Sequence, residues 1–437
     1  MMGLGGTLLP AQTFVPSPGQ ETTAAEMPTA SLEAFALDEL ETLAIQQNPQ
    51  LTRAWYVVAA AAGRAEQAGL YPNPTIGVSF DELGDRTARS GINTLPLLSQ
   101  EFVTGGKLRL SREAGLRQVD LENWRLMSQR YRLLADVRHR FCEALALQTR
   151  IEILQQMVDM AELSVARSVE LQRAGQVARL DVVQLEIEAE RLQAELEATE
   201  RELPGIYRDL AAVVGDPHLS VYKVEGVLAD RLPAYDLNTV QDLILTSHPD
   251  VYAARHGVER ARLLMDRARR EPIPNVSVDT GYVRQNQNRS DDFRIGASVS
   301  VPLWNRNQGN IRAAEAEYME AQQQVRQVQN ELTGQLALAM RDYSASRRRA
   351  ERYSTVILPR AAETYDLSRK AYQGGEFEYL RVLEAQRALA QAHLEYIRSL
   401  GDGWKAAATL SGLTLEDTWP APAVSVPPVP QSESPQK

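Results

Sequence analysis

The chain has 437 residues, 44% hydrophobic and 24% charged, which is enough apolar material for a packed core and excludes disorder for the chain as a whole. Its net charge of -10 and pI near 5.3 argue against a nucleic-acid partner, because phosphate binding needs a basic surface. The single cysteine, Cys142, rules out an intrachain disulfide, and no window reaches the roughly 18 uninterrupted apolar residues of a membrane-spanning helix, so any bilayer crossing must use strands.

In chain order, residues 1–36 have a weakly apolar start from Met1 to Leu9 with no positive stretch ahead of it. They read as an N-terminal lead-in or the remnant of a leader. From there an internal repeat organises the chain, at an offset of about 200 residues. Asn48-Pro49 recurs as His248-Pro249, and Pro72-Asn73-Pro74 recurs in register as Pro272-Ile273-Pro274. Near the far end of each copy, Arg173-Ala174-Gly175 meets Gln373-Gly374-Gly375, and Leu180-Asp181-Val182 meets Leu380-Arg381-Val382. Landmarks kept at one spacing define two units, 37–215 and 239–412, joined by a linker at 216–238 that is punctuated by Pro217, Gly226 and Pro233.

Within each unit a helical stretch gives way to alternation with a period of two. Phe293, Ile295, Ala297, Val299, Val301 and Leu303 alternate with small or polar residues, which predicts a strand with one apolar face, as in a membrane β-barrel. The strands are expected at about 75–83 and 92–103 in the first unit, and at about 275–284 and 293–303 in the second. Pro96 and a slip of the alternation around Leu97-Leu98 weaken the second of these. Each unit then closes on a long hairpin. Leu147, Ile151, Leu154, Val158, Ala161 and Val165 step by four and three, and Leu185, Ala189, Leu192, Leu196, Thr199 and Leu203 repeat the pattern on the return. From Gly106 to Gly175 one helix would run about 100 Å at 1.5 Å per residue, a length suited to a rod or a tube wall. Residues 413–437 end in a Pro-rich tail, PAPAVSVPPVPQSESPQK.

Four strands cannot close a barrel, because small barrels need about eight and open edges are excluded from lipid. The missing strands must come from other chains. The landmarks, with the strand-to-helix corners Gln100-Glu101-Phe102 to Gly105-Gly106-Lys107 and Val301-Pro302-Leu303 to Gly309-Asn310, resemble the TolC family of outer-membrane efflux proteins over about 37–412. The first corner is most similar to the family's heavy-metal-efflux branch. The resemblance implies a mainly α fold with a small β part: long coiled-coil hairpins form a periplasmic α-barrel, and four strands per chain contribute to a trimeric transmembrane β-barrel in outer-membrane lipid.

It also implies a homotrimer working with a periplasmic adaptor (membrane fusion) protein and an inner-membrane efflux pump of the RND type. The hairpin tips at 175–181 and 374–381 become the docking and gating segments, with Gly175, Arg179, Leu180, Gly374 and Gly375 at the adaptor-docking ends. Position by position, Tyr372 and Asp181 match a closed-state hydrogen-bonding pair. Arg381 and Glu384 match two acidic pore-constricting positions, of which only Glu384 keeps the sign.

Enzymatic chemistry is absent from this inventory. His139, His218, His248, His256 and His393 are scattered, no phosphate-cradling loop appears, and the carboxylates from Glu186 to Glu202 lie on the polar faces of a coiled coil. No cofactor is expected, and energy for transport must come from a partner. The competing reading is a soluble coiled-coil scaffold or tether, which explains the helices but leaves the alternating strands without a purpose.

Overall fold

The computed structural model describes residues 33–81, 92–228, 231–286, 289–374 and 379–419. The first copy runs β1 (Glu33–Phe35), α1 (Leu37–Gln47), α2 (Pro49–Gln67), β2 (Thr75–Asp81), β3 (Ile92–Phe102), α3 (Lys107–Arg173) and α4 (Arg179–Val214). After β4 (Val221–Val224), the second copy runs α5 (Leu237–Ser247), α6 (Pro249–Arg270), β5 (Val276–Gln285), β6 (Asp291–Val299), α7 (Gln308–Arg352), a π-helical turn (Tyr353–Ile357), α8 (Leu358–Gln373) and α9 (Tyr379–Thr414).

The duplicated landmarks have local physical reasons. Asn48 ends α1 and caps α2, its Oδ1 accepting from the Gln50 N–H at 2.7 Å while Pro49 fills the first helical position. Asn48 also donates from Nδ2 to the Val213 carbonyl at 2.8 Å, which docks this junction on the end of α4. That end stops in a Schellman motif on Gly215 at φ +105°, with the Asp216 N–H bonded to the Ala211 carbonyl at 3.2 Å. A Cβ on Gly215 would stand 2.7 Å from the Asn48 Cα, so only glycine fits. In the second copy His248 replaces Asn48, with Nδ1 accepting from the Asp250 N–H at 3.2 Å, and Leu415 takes the left-handed position at φ +62°.

The hairpin helices α3 and α4 pack along the predicted seam. Leu147, Leu154, Val158, Ala161, Leu185, Leu196 and Thr199 are buried. In the second copy the long helix is interrupted by the π turn, in which the Leu358 N–H reaches back to the Tyr353 carbonyl. Pro359 follows, which has no N–H and cannot continue the regular ladder, and the wider turn absorbs the defect.

The core lies where the N-terminal helices and the feet of the hairpins meet, and Arg138 is its polar centre. This fully buried guanidinium donates to Glu41 Oε1 at 2.6 Å, to Ser411 Oγ at 2.9 Å, and to the Glu416 and Asp417 carbonyls at 2.9 and 3.4 Å. It also sits 5.7 Å from the Trp419 ring, which packs edge-on to Trp404. Residues 415–419, expected in the C-terminal tail, are thus bound into the core. Two further segments differ from expectation: Phe35, of the lead-in, and Val224, of the linker, belong to β1 and β4, which pair in parallel as a two-stranded sheet. Cys142 is completely buried, as its apolar flanks suggest, and burial pushes its thiol pKa up.

His248 supplies a test of this packing. Burial lowers its pKa from the ordinary value of 6.5, while Asp250 raises it and Arg132 lowers it. A folded-state pKa below the unfolded one means stability that is complete above about pH 6.5 and is lost as pH falls toward the folded value. His248→Asn, which copies the cap of the first unit, should leave the thermal midpoint near about pH 8 little changed and reduce the loss seen near about pH 5.5. Differential scanning calorimetry of the detergent-solubilised protein reads both; an unaltered pH slope would show that His248 is not the titrating group.

Candidate functional site

The four longer strands form one antiparallel sheet in the order β2-β3-β5-β6, so β3 and β5 join the two copies and β2 and β6 are its outer edges. Register sorts the side chains by face. Ile76, Leu98, Thr280 and Ile295 form one row across all four strands, and Phe102, Val276 and Val299 form another on the same side. The opposite face carries Thr75, Ser99, Asp279 and Gly296 in one row and Glu101, Ser277 and Ser298 in the next. The apolar side is laid open: Ile76 is 77% exposed, and Phe293 and Ile295 are 73% exposed. A monomeric soluble protein rarely presents such a continuous apolar surface.

One strand expectation needs correction. The last strand was expected to reach Leu303 but stops at Val299, since Pro302 has no N–H to give the ladder; Val301, Leu303 and Trp304 continue as exposed apolar residues outside it. Around Pro96 the register of β3 shifts between Thr94 and Leu97, against both neighbours' regular spacing, and a Cβ on Gly281 would meet the Thr94 Cγ2 at 2.7 Å. Residues 82 and 83 of the first expected strand lie outside the described residues.

The strand-to-helix corners tie the copies together. Gly105 and Gly106 both take φ +70°, and the Gly105 carbonyl accepts from Arg270 Nη1 at 3.0 Å. Lys107 is buried and donates to the Ile273 carbonyl at 2.8 Å, while Glu101 accepts from Asn275 Nδ2 at 2.7 Å. Sequence reasoning noted this motif without seeing that it grips the other copy. Gly309 does not make the second corner: it lies inside the first turn of α7, and Asn307, at φ +60°, takes the left-handed position instead. Asparagine is the residue other than glycine that enters this region most readily, and that was the available signal.

At the first tip, Gly175 ends α3 at φ +74° in a Schellman motif, with its N–H on the Gln172 carbonyl at 3.0 Å and the Gln176 N–H on the Leu171 carbonyl at 2.9 Å. Leu180 is exposed, and Arg179 pairs with Glu186 at 3.5 Å. At the second tip Gly374 has φ -78°, an ordinary helical value that does not call for glycine. Gly375 lies outside the described residues. The Tyr372 phenol pKa is raised, first by partial burial and then by the negative charge of Asp181. Arg381 and Glu384 are both exposed and pair with each other at 3.7 Å, so the positive charge expected to depart from the family pattern has an acidic neighbour on its own helix.

Among the described residues no helix is long and apolar enough to cross a membrane, and no group of three or more His, Cys, Asp or Glu side chains could hold a metal ion. The family model for outer membrane efflux protein matches residues 40–216 and 240–414, which spans both copies. The chain belongs to this family. It is 26% identical over 383 residues to the cobalt-zinc-cadmium resistance protein CzcC of Cupriavidus metallidurans, covering 88% of this chain and 90% of that one. It is 24% identical over 296 residues to the nickel-cobalt-cadmium resistance protein NccC of Alcaligenes xylosoxydans xylosoxydans, 66% of each. Its fold matches the outer membrane protein VceC of Vibrio cholerae at a TM-score of 0.73 and 20% identity, over 86% of this chain and 95% of that structure.

This efflux protein is therefore a passive channel of the Gram-negative outer membrane with most of its mass in the periplasm, and not an enzyme. The apolar sheet face gives that location a physical form. Val299→Arg should cost about 2 to 4 kcal/mol of membrane stability where Val299 faces lipid near the midplane. Urea-dependent unfolding in liposomes measures it, and unchanged assembly of the variant would place Val299 away from lipid.

Proposed function

We propose that three copies of this chain close into one tube, as the exit duct of a tripartite system fed by an inner-membrane pump of the RND type through a periplasmic adaptor. The observation that carries this reading is the sheet itself. It has a continuous apolar face and two outer edges, on β2 and β6, that pair with no other described strand. Three such sheets joined edge to edge give twelve strands, enough to satisfy every backbone group in lipid. The exposed Leu70 and Tyr71 before β2, and Trp304 after β6, would then sit at the periplasmic boundary of the bilayer, where aromatic side chains anchor barrels. The units 37–215 and 239–412 each supply one strand pair and one hairpin to the tube.

The resting duct is closed at the tips and opens when the helices around Gly175 and Gly374–Gly375 move outward, because long coiled coils are stiff along their length and yield at their ends. Asp181 and Tyr372 hold the closed form, through a charge-assisted hydrogen bond contributing roughly 1.5 to 3 kcal/mol per chain. Arg381 and Glu384 line the constriction as a ring of mixed sign, which makes it less cation-selective than a purely acidic one. Exposed Leu180 and the Arg179 pair face the adaptor. In planar bilayers Asp181→Ala combined with Tyr372→Phe should raise single-channel conductance well above wild type. A wild-type pore already fully open, or a double variant as closed as wild type, would mean these side chains are ordinary surface groups.

For cargo, the likeness to the two metal-resistance proteins and the Gln100-Glu101-Phe102 corner favour heavy-metal cations. A host deleted for this protein is expected to become more sensitive to cobalt, zinc and cadmium salts, with little change toward organic antibiotics. Sensitisation to the antibiotics alone would overturn the metal assignment and leave the duct reading standing.

A further inference from the structure

A small cavity of about 20 Å³ lies between α3 and α4 of the first hairpin and α8 and α9 of the second. Met157 and Met160 of α3 line it, one turn apart on the same helix face, opposite His393 of α9. His393 is only 5% exposed, and its Nδ1 is buried without a hydrogen-bond partner among the described residues. Glu188 and Arg387 also border the cavity, but they pair with each other at 2.8 Å across α4 and α9. A buried ring nitrogen left without a partner, beside a cavity that two thioethers also line, is costly.

We propose that this cavity is a binding site for one soft monovalent cation of the Cu(I) or Ag(I) type, ligated by the thioether sulfurs of Met157 and Met160 and by His393 Nδ1. Thioether sulfur is a soft donor that selects ions of the Cu(I) type, and imidazole binds them too, whereas hard divalent ions favour carboxylate, carbonyl or water. The three ligands carry no charge between them, so a single positive charge is all the cavity must accommodate, beside an ion pair that is already neutral. The volume admits one water-sized occupant. Leu192, Leu389 and Ala390 supply apolar wall, and Tyr365 and Gln386 complete the lining. Burial also lowers the His393 pKa, which keeps the ring in the neutral form that binds metal.

The ligands are not imposed by the fold. At the offset of about 200 residues Met157 and Met160 correspond to Ile357 and Arg360, and His393 corresponds to Gln193, so the pseudo-equivalent place in the other copy has none of them. About 16 residues of α3 separate Met157 from the tip, roughly 24 Å at 1.5 Å per residue, so a bound cation would fasten the two hairpins together partway along the shaft.

The test uses the full-length protein in detergent micelles, in a Cys142→Ala background so that the buried thiol does not count. Ag(I), and Cu(I) under reducing conditions, are titrated against a competing chelator, with Zn(II) and Co(II) in parallel. One retained Ag(I) or Cu(I) per chain is expected, with X-ray absorption showing both sulfur and nitrogen neighbours. That binding should be lost in Met157→Leu with Met160→Leu and in His393→Gln, while helicity by circular dichroism and oligomer size stay unchanged. Equal retention by wild type and variants, no retention by wild type, or preference for Zn(II) would each overturn the site. Transport is not read in this experiment, so its outcome is independent of what the duct carries.

Discussion

Backbone N–H and C=O groups along the outer edges of β2 and β6 meet no other described strand, and an apolar face runs up to both edges. In water such a sheet would aggregate, and in lipid an unsatisfied peptide group is costlier still. In the tube proposed above the strands become part of a larger closed surface, and the remaining architecture serves that closure. The two copies are fused through β3 and β5, which leaves one edge of each copy free. The corners that carry Gly105, Lys107 and Arg270 lock the copies to one another just where the sheet becomes helix, so the helical wall inherits the spacing of the strands.

The core does a different task. Arg138 joins α1, α3 and the end of α9 through four hydrogen bonds to three kinds of acceptor, a carboxylate, a hydroxyl and main-chain carbonyls. A buried guanidinium satisfied this completely specifies one arrangement rather than adding much net stability. It fixes the feet of the hairpins, and the rods beyond them are held mainly by the narrow seam of Leu154, Val158 and Leu196 with their neighbours. The tips, with Gly175 and Asp181, lie beyond that seam.

Much of this was legible in the sequence because duplication repeats each landmark and because two periods, two and about three and a half, name strand and coiled coil directly. The Asn48-Pro49 and His248-Pro249 junctions, the hairpin lengths and the apolar row from Phe293 to Val299 were readable for that reason. Other features had no periodic trace. The pairing of β1 with β4 joins segments about 190 residues apart, and three- or four-residue strands are too short to show alternation. The packing of Trp419 on Arg138 depends on one long-range cation–π contact. At the second corner, a preference for glycine drew attention to Gly309, whereas an asparagine two residues earlier makes the turn. At the tips, sequence could pair Asp181 with Tyr372 only through resemblance, since the two lie on different hairpins.

The π turn at Tyr353–Ile357 has a consequence for the shape of the mouth. One extra residue within a helical turn shifts everything beyond it by about a hundred degrees of helical phase. The long helix of the second hairpin therefore presents a different stripe to its neighbours near the tip than it does near the sheet, while α3 has no such step. Two hairpins born of the same duplication cannot then offer the same contour at their ends. A ring built from them alternates two unlike grooves, and a partner that grips the mouth must either read both kinds or choose one.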